Sequence, residues 1–247
     1  TVVAPSVEHS GVGRVLSFGR PVPLQTGAET DEIEMDSSEL SHEVPYEPHE
    51  LGYAVDGTPC DCVIAGVTAL GIDPDIVVSG CNPGPNIGLS AFGRSGTVSA
   101  ALEAAYLDVP GIAVSSKSQN PTDDEYERVS MFMKQLIEYT QSHEVFDRVD
   151  YLNISTPSGE YRDVKLTRPV ENYGFTAAKA ESNDSFRFTH SENGAQSTVS
   201  SSKSQALTDR EVLKQGMVSI TPLVAPYTPT ETSLLRNFTN TALQNRS

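Results

Sequence analysis

The sequence predicts an α/β protein whose sheet is mainly parallel and flanked by helices. Three observations carry that expectation. Short apolar runs at 76–78, 112–114 and 151–154 have the length and composition of buried strands. They alternate with stretches of helical spacing at 58–70, 97–107 and 122–140. A long loop rich in Gly and Pro leaves the carboxyl end of the first of these strands, which is where parallel sheets bind ligands.

The elements follow in order. Val2 and Val3 close a strand, and Ala4-Pro5 turns out of it. Residues 6–13 form a polar loop containing His9-Ser10-Gly11. The segment 25–50 is acidic and poorly patterned, which reads as a solvated loop with short edge strands. Residues 52–55 make a short strand, turned by Asp56-Gly57. Thr58 is a good N-cap and Pro59 suits the first helical position. Val63, Val67 and Leu70 then recur at helical spacing, and Gly71 stops the helix.

The helix at 97–107 is rich in Ala, hence closely packed, and ends before Val109-Pro110. A strand, a helix and a second strand with a short return make a βαβ unit and imply parallel pairing. The helix at 122–140 opens on the capping box Thr122-x-x-Glu125. Tyr126, Val129, Phe132 or Met133, Leu136 and Ile137 form its apolar stripe. After Pro157 the pattern changes. Alternation at 163–167 and 185–189 suggests strands, the latter one arm of a hairpin. A Ser-rich stretch at 195–204, a strand at 217–221 and a terminal helix at 230–243 complete the chain. The expected organisation is an α/β body over 1–157 and an extended hairpin-and-helix appendage over 158–247.

Composition narrows the function. The 247 residues carry 33 acidic and 17 basic side chains, a net charge of −16. That excludes a nucleic-acid polymer as the preferred partner, because phosphate backbones are bound by Lys and Arg. Lys occurs only at Lys117, Lys134, Lys165, Lys179, Lys203 and Lys214, and much acid with little Lys suits a surface kept soluble in strong salt. No apolar run is long enough to span a bilayer and no signal peptide is visible, so a cytoplasmic protein with no membrane partner is expected. The three Cys are too few for a disulfide scaffold. On a helix, Cys60 and Cys62 sit about 200° apart, which favours buried packing over chelation.

The loop between Val78 and Thr97 is where chemistry is expected. Most βα loops have roughly 2–6 residues, and longer ones are usually functional. Asn82 offers a side-chain oxygen to a hard divalent cation, and Asn86 an amide donor to a phosphate oxygen. Gly84, Gly88 and Gly93 let backbone approach a ligand. Ser95, Gly96 and Thr97 present hydroxyls and free N–H groups at a helix N-terminus, a favourable place for an anion. The competing reading is a structural Gly-Pro loop closed by a helix cap. A His9-Ser10 nucleophile pair lacks an evident acid partner, His42, His49, His143 and His190 are scattered and read as surface residues, and Glu103 either pairs with a buried partner or lines the site.

These residues also carry a resemblance. The block Ser79-Gly80-Cys81-Asn82-Pro83-Gly84-Pro85-Asn86-Ile87-Gly88 resembles the Ser-Gly-Ile-Asn-x-Gly-x-Asn-x-Gly block of the SurE (survival protein E) nucleotidases. Asp56-Gly57-Thr58-Pro59-Cys60-Asp61-Cys62 and Ser95-Gly96-Thr97-Val98 are similar to two further blocks of that family. So are Val3-Ala4-Pro5 with Ser10-Gly11, and Thr208-Asp209 with Gly216-x-Val218-Ser219-Ile220-Thr221-Pro222-Leu223. The resemblance implies a Rossmann-like body and a metal-dependent phosphatase acting on nucleoside monophosphates. It implies a Mg or Mn ion held by two adjacent Asp, a Ser matched by Ser10 and an Asn matched by Asn82. Asn86, Gly84, Ser95, Gly96 and Thr97 fall where the family surrounds the phosphate. The C-terminal arm is expected to be exchanged in a homodimer or homotetramer.

One part of the family pattern is missing. The Asp pair belongs to an Asn-Asp-Asp-Gly motif after the first strand, and this sequence does not contain it. The chain therefore resembles a member without that strand, its motif and the first helix, and no catalytic carboxylate is identified in it. Asp123-Asp124 is adjacent but falls in the first turn of a helix, where it reads as capping. A non-catalytic nucleotide- or phosphate-binding module is the rival expectation.

Overall fold

The computed structural model describes residues 1–8, 10–16, 51–171 and 207–225 in full, and the backbone of 24–26, 174–179 and 186–191. His9, most of the acidic segment, the Ser-rich stretch and the expected terminal helix lie outside the described residues.

The chain enters on β1 (Val2–Pro5), followed by β2 (Leu24–Thr26) and β3 (Gly52–Val55). These form one three-stranded sheet in the order β1-β3-β2, with β1 parallel to β3. Next come α1 (Pro59–Ile64), β4 (Val77–Pro83), α2 (Leu89–Phe92), α3 (Gly96–Tyr106), β5 (Gly111–Ser116), α4 (Asp123–Ser142) and β6 (Tyr151–Thr156). β7 (Val164–Leu166), β8 (Gly174–Lys179), β9 (Phe186–Ser191), α5 (Asp209–Lys214) and β10 (Val218–Leu223) follow.

The main sheet has five strands in the order β4-β5-β6-β10-β7. β4, β5 and β6 run parallel through the helices α3 and α4, as the βαβ pattern requires. β10 joins antiparallel to β6 and parallel to β7, so the sheet draws strands from both sides of Pro157. β8 and β9 pair only with each other among the described strands.

The sheet is packed on both faces. Ile112, Val114, Leu152, Ile154 and Val218 meet Val129, Phe132 and Met133 of α4. On the other face Ala113 and Tyr151 meet Val98, Ala101 and Leu102 of α3. Toward the carboxyl ends of β5 and β6 that second face turns polar. Ser115, Asn153, Ser155, Ser219 and Thr221 are all fully buried there. The register sets Ser115 beside Ser155, Ser155 beside Ser219 and Asn153 beside Thr221.

Three local outcomes differ from the sequence expectation. The helix from Pro59 passes at Ala65 into a π-turn, with Leu70 N–H bonding the Ala65 carbonyl. β4 runs on past Val78 to Pro83, because Asn82 and Pro83 still find register with Ser115 and Ser116 of β5. Asn82 therefore sits on a strand end rather than in the loop. Between Ser79 and Asn82 the register shifts by a bulge, a device that re-aims side chains beside sites.

Candidate functional site

Four polar residues between the end of β4 and the first turn of α3 remain within reach of solvent. Asn82, Asn86, Ser95 and Thr97 are half-buried, while Gly84 and Gly96 are buried between them. Asn82 turns both amide hydrogens inward, to the carbonyls of Pro83 (3.2 Å) and Gly84 (2.6 Å). That leaves its Oδ1, the atom suited to a hard cation, without a hydrogen-bond donor among the described residues. Asn86 donates one amide hydrogen to Ser115 Oγ at 2.9 Å, and its second amide hydrogen has no acceptor among the described residues. Its backbone carbonyl accepts from Asn153 Nδ2 at 2.8 Å.

The helix side of the site is built on two N-termini. Thr58 caps α1 and Ser95 caps α3, the latter accepting from Val98 N–H at 3.2 Å. Ser95 is thus occupied as a cap, while its neighbour Thr97 faces outward. The two helix starts touch at Gly96 and Pro59. A Cβ on Gly96 would lie 2.8 Å from Pro59 Cγ, so only glycine allows this approach.

Thr97 and Pro59 open onto a cleft of about 510 Å³ together with Asn82. The cleft is lined by β1, from Val2 to Pro5, and by β4, from Val77 to Pro83, each an edge strand of its sheet among the described strands. Cys62, Val63, Gly66 and Val67 of the first helix and its π-turn line it with apolar groups. Both edge strands are parallel members of their own sheets, and Pro5 of β1 lines the cleft together with Asn82 of β4 and Thr97 of α3.

Ser10 lies apart from the cleft lining. It is exposed and its hydroxyl donates to the Glu8 carboxylate. The chain around it is anchored toward the site. Gly13 N–H bonds the Arg94 carbonyl at 2.8 Å, and Thr58 Oγ1 bonds the Val15 carbonyl at 2.7 Å. Arg14 closes on Glu103 at 2.7 Å and stacks its guanidinium over Tyr106 at 4.2 Å. Of the alternatives for Glu103 the structure shows the pair, a buried carboxylate with a half-buried partner.

The remaining candidates take structural roles. Cys60 and Cys62 are buried, and burial pushes both thiols up to about 12. No cluster of metal-binding side chains occurs among the described residues. Asp123 and Asp124 stand exposed in the first turn of α4, which Thr122 and Glu125 cap reciprocally. His143 is exposed and stacks on Tyr139.

Two residues that hold the loop were not singled out for this role in the sequence. Asn153 alternates with Ser155 along β6, between the apolar Leu152 and Ile154, and that alternation is the signal that marks it. Asp209 is fully buried at the start of α5 and accepts from Gly88 N–H at 2.7 Å and Val170 N–H at 3.0 Å. Burial pushes its carboxyl above the usual aspartate range, against the pull of these N–H groups and that of Arg210.

The family model for survival protein SurE matches residues 1–175. The 5'-nucleotidase SurE of Haloarcula marismortui is 37% identical over 240 residues, covering 92% of this chain and 79% of the relative. That of Natronomonas pharaonis is 36% identical, covering 93% and 84%. The crystal structure of the SurE protein from Aquifex aeolicus superposes with a TM-score of 0.65 at 25% identity, covering 94% of this chain and 84% of that one. With a family match over residues 1–175 and relatives aligned over more than nine-tenths of the chain, this chain belongs to the SurE family.

Proposed function

We propose that the protein is a phosphoric monoester hydrolase that releases phosphate from nucleoside monophosphates with the help of a divalent cation, Mg or Mn. The observation that carries this reading is that Asn82, with its Oδ1 unused, and Thr97, in the first turn of α3, line a single cleft. In this reading Asn82 Oδ1 contacts the cation, and the Ser10 hydroxyl joins it only by leaving Glu8 and moving toward the cleft. Asn86 Nδ2, the Gly84 backbone, the Gly96 N–H and the Ser95 and Thr97 positions surround the phosphate, Asn82 and Thr97 being the two of all these residues that line the cleft. The names of the haloarchaeal relatives support the nucleotide as substrate.

The donor set fits a hard cation only in part. Asn82 and Ser10 are neutral oxygens, and such ions require anionic ones. The cleft supports a source for them. A strand seated between the free edges of β1 and β4 would pair with both and unite the two sheets. Its carboxyl end would arrive beside Asn82 and Thr97, where acidic residues would complete the ion's ligands. No described residue supplies that strand. A bound cation supplies charge neutralisation and a more acidic water. The chain's own groups orient the phosphoryl and stabilise charge on its equatorial oxygens through N–H donors.

A homodimer or homotetramer joined through the C-terminal arm belongs to the same reading. The β8–β9 pair forms its own two-stranded sheet, which is marginal alone in water and gains from a partner. Size-exclusion chromatography with light scattering tests this, and a monomer at micromolar concentration contradicts it.

The activity is tested by phosphate release from nucleoside monophosphates with Mn or Mg. The chain as it stands is compared with a form extended upstream by an apolar strand ending in two Asp. Activity in the extended form and little in the shorter one is expected. Strong activity in the shorter form refutes the argument about missing carboxylates. Activity in neither favours the non-catalytic binding module.

A further inference from the structure

The turn from Asn86 to Gly88 hangs on two buried side chains from distant parts of the chain. Asn153 holds one end through the Asn86 carbonyl, and Asp209 holds the other through the Gly88 N–H. Gly88 adopts φ 77°, a left-handed turn that brings its N–H down onto the carboxylate. The other carboxylate oxygen of Asp209 collects the N–H groups of Val170 (3.0 Å) and Arg210 (2.8 Å). Val170 returns a second contact to the loop, since Leu89 N–H bonds the Val170 carbonyl at 3.1 Å. Asp209 N–H in turn bonds the Arg168 carbonyl at 2.9 Å. One fully buried side chain thus fastens the loop, the start of α5 and the segment that leads into β8.

We propose that Asp209 is a positioning residue that sets the Gly88 turn, thereby presents the Asn86 amide to the phosphate, and couples that presentation to the root of the C-terminal arm. Resting on the phosphate reading of the loop, this assigns a role in ligand presentation to a residue that touches no ligand. It makes the C-terminal segment part of the site at one remove. A shift of Val170, whatever moves the arm, is felt at Gly88 through a shared carboxylate with no solvent layer between.

The test uses inorganic phosphate and a nucleoside monophosphate as probes, with amide hydrogen exchange read on the same samples. In Asp209→Asn one oxygen remains for Val170 and Arg210, while an NH₂ group faces Gly88 N–H and cannot accept from it. The exchange of Gly88 and Leu89 should accelerate while the sheet stays protected, and phosphate affinity should fall about tenfold, the loss typical of a charge-assisted hydrogen bond. Gly88→Ala, which strains the same turn from the loop side, should reproduce the loss if Asp209→Asn proves too unstable. The effects of Asp209→Asn and Asn86→Ala should be non-additive, because both act through one amide. Additive losses, or an Asp209→Asn variant with unchanged affinity and unchanged Gly88 exchange, overturn the inference while leaving the phosphate reading intact. No loss in Asn86→Ala alone overturns that reading and the inference with it.

Discussion

The carboxamide of Asn86 lies 2.9 Å from the hydroxyl of Ser115, so a loop residue and a strand residue 29 positions apart share one hydrogen bond. The bond fixes the amide plane and leaves the second N–H directed away from Ser115. Asn86→Ala should therefore weaken nucleoside monophosphate binding about tenfold. Its effect on thermal stability should be small, because the site is half-buried. Calorimetric titration beside a melting curve separates the two effects, and unchanged affinity contradicts the assignment.

Gly96 is where the starts of α1 and α3 come closest. In Gly96→Ala the new methyl meets the Pro59 ring at 2.8 Å, and a proline ring yields little. The two helix N-termini should be forced apart, at a cost of about 1–3 kcal/mol, as for other overpacked contacts. Urea denaturation measures the cost. A stability equal to that of the parent would show that the helices do not meet as described.

Acid should loosen the helix caps in a defined direction. The backbone N–H of Thr122, then that of Gly159, holds Glu125 below the ordinary glutamate value of 4.5. The N–H and hydroxyl of Thr208 do the same for Glu211. A depressed folded-state pKa means stability that is complete above the unfolded value and lost as pH falls through the folded one. The urea midpoint should thus decline as pH drops below about 4.5. Glu125→Gln with Glu211→Gln should flatten that decline, and an identical slope would contradict it.

The three thiols should separate by reactivity. Thiolate is the reactive form, and burial holds Cys60 and Cys62 at about 12. Cys81, half-buried and lining the cleft, should be modified first at pH 8 by a thiol reagent, and slowly, because burial raises its pKa also. Cys60 and Cys62 should react only on unfolding. Peptide mapping of the labelled protein distinguishes the order, and early labelling of Cys60 would contradict the packing of α1.

Much of this was legible in the sequence where local chemistry decides. The capping box of Thr122 and Glu125 is written in nearby residues and appears in the structure as read, while Ser95, expected at the phosphate, takes the cap of α3 that the competing reading gave it. The parallel pairing of β4, β5 and β6 follows from the alternation of strand and helix. The extension of β4 through Asn82 was not legible, since Gly80, Asn82 and Pro83 are poor strand formers and only pairing with β5 holds them in line. Asp209 was matched to a family signature, but its contact with Gly88 spans 121 positions and no local pattern announces it. The pairing of Arg14 with Glu103 is of the same kind. The acid-rich, Lys-poor composition pointed to strong salt, and haloarchaeal proteins are among the relatives that align over more than nine-tenths of the chain.

The most direct test of the central claim is phosphorus NMR of inorganic phosphate bound to the strand-completed protein, recorded with and without Mn. A cation held at Asn82 beside a phosphate gripped by Thr97 and Asn86 should broaden the bound phosphate signal, and Asn82→Ala should abolish the broadening while phosphate still binds. Phosphate that binds without any broadening, or broadening that survives Asn82→Ala unchanged, would contradict the shared site.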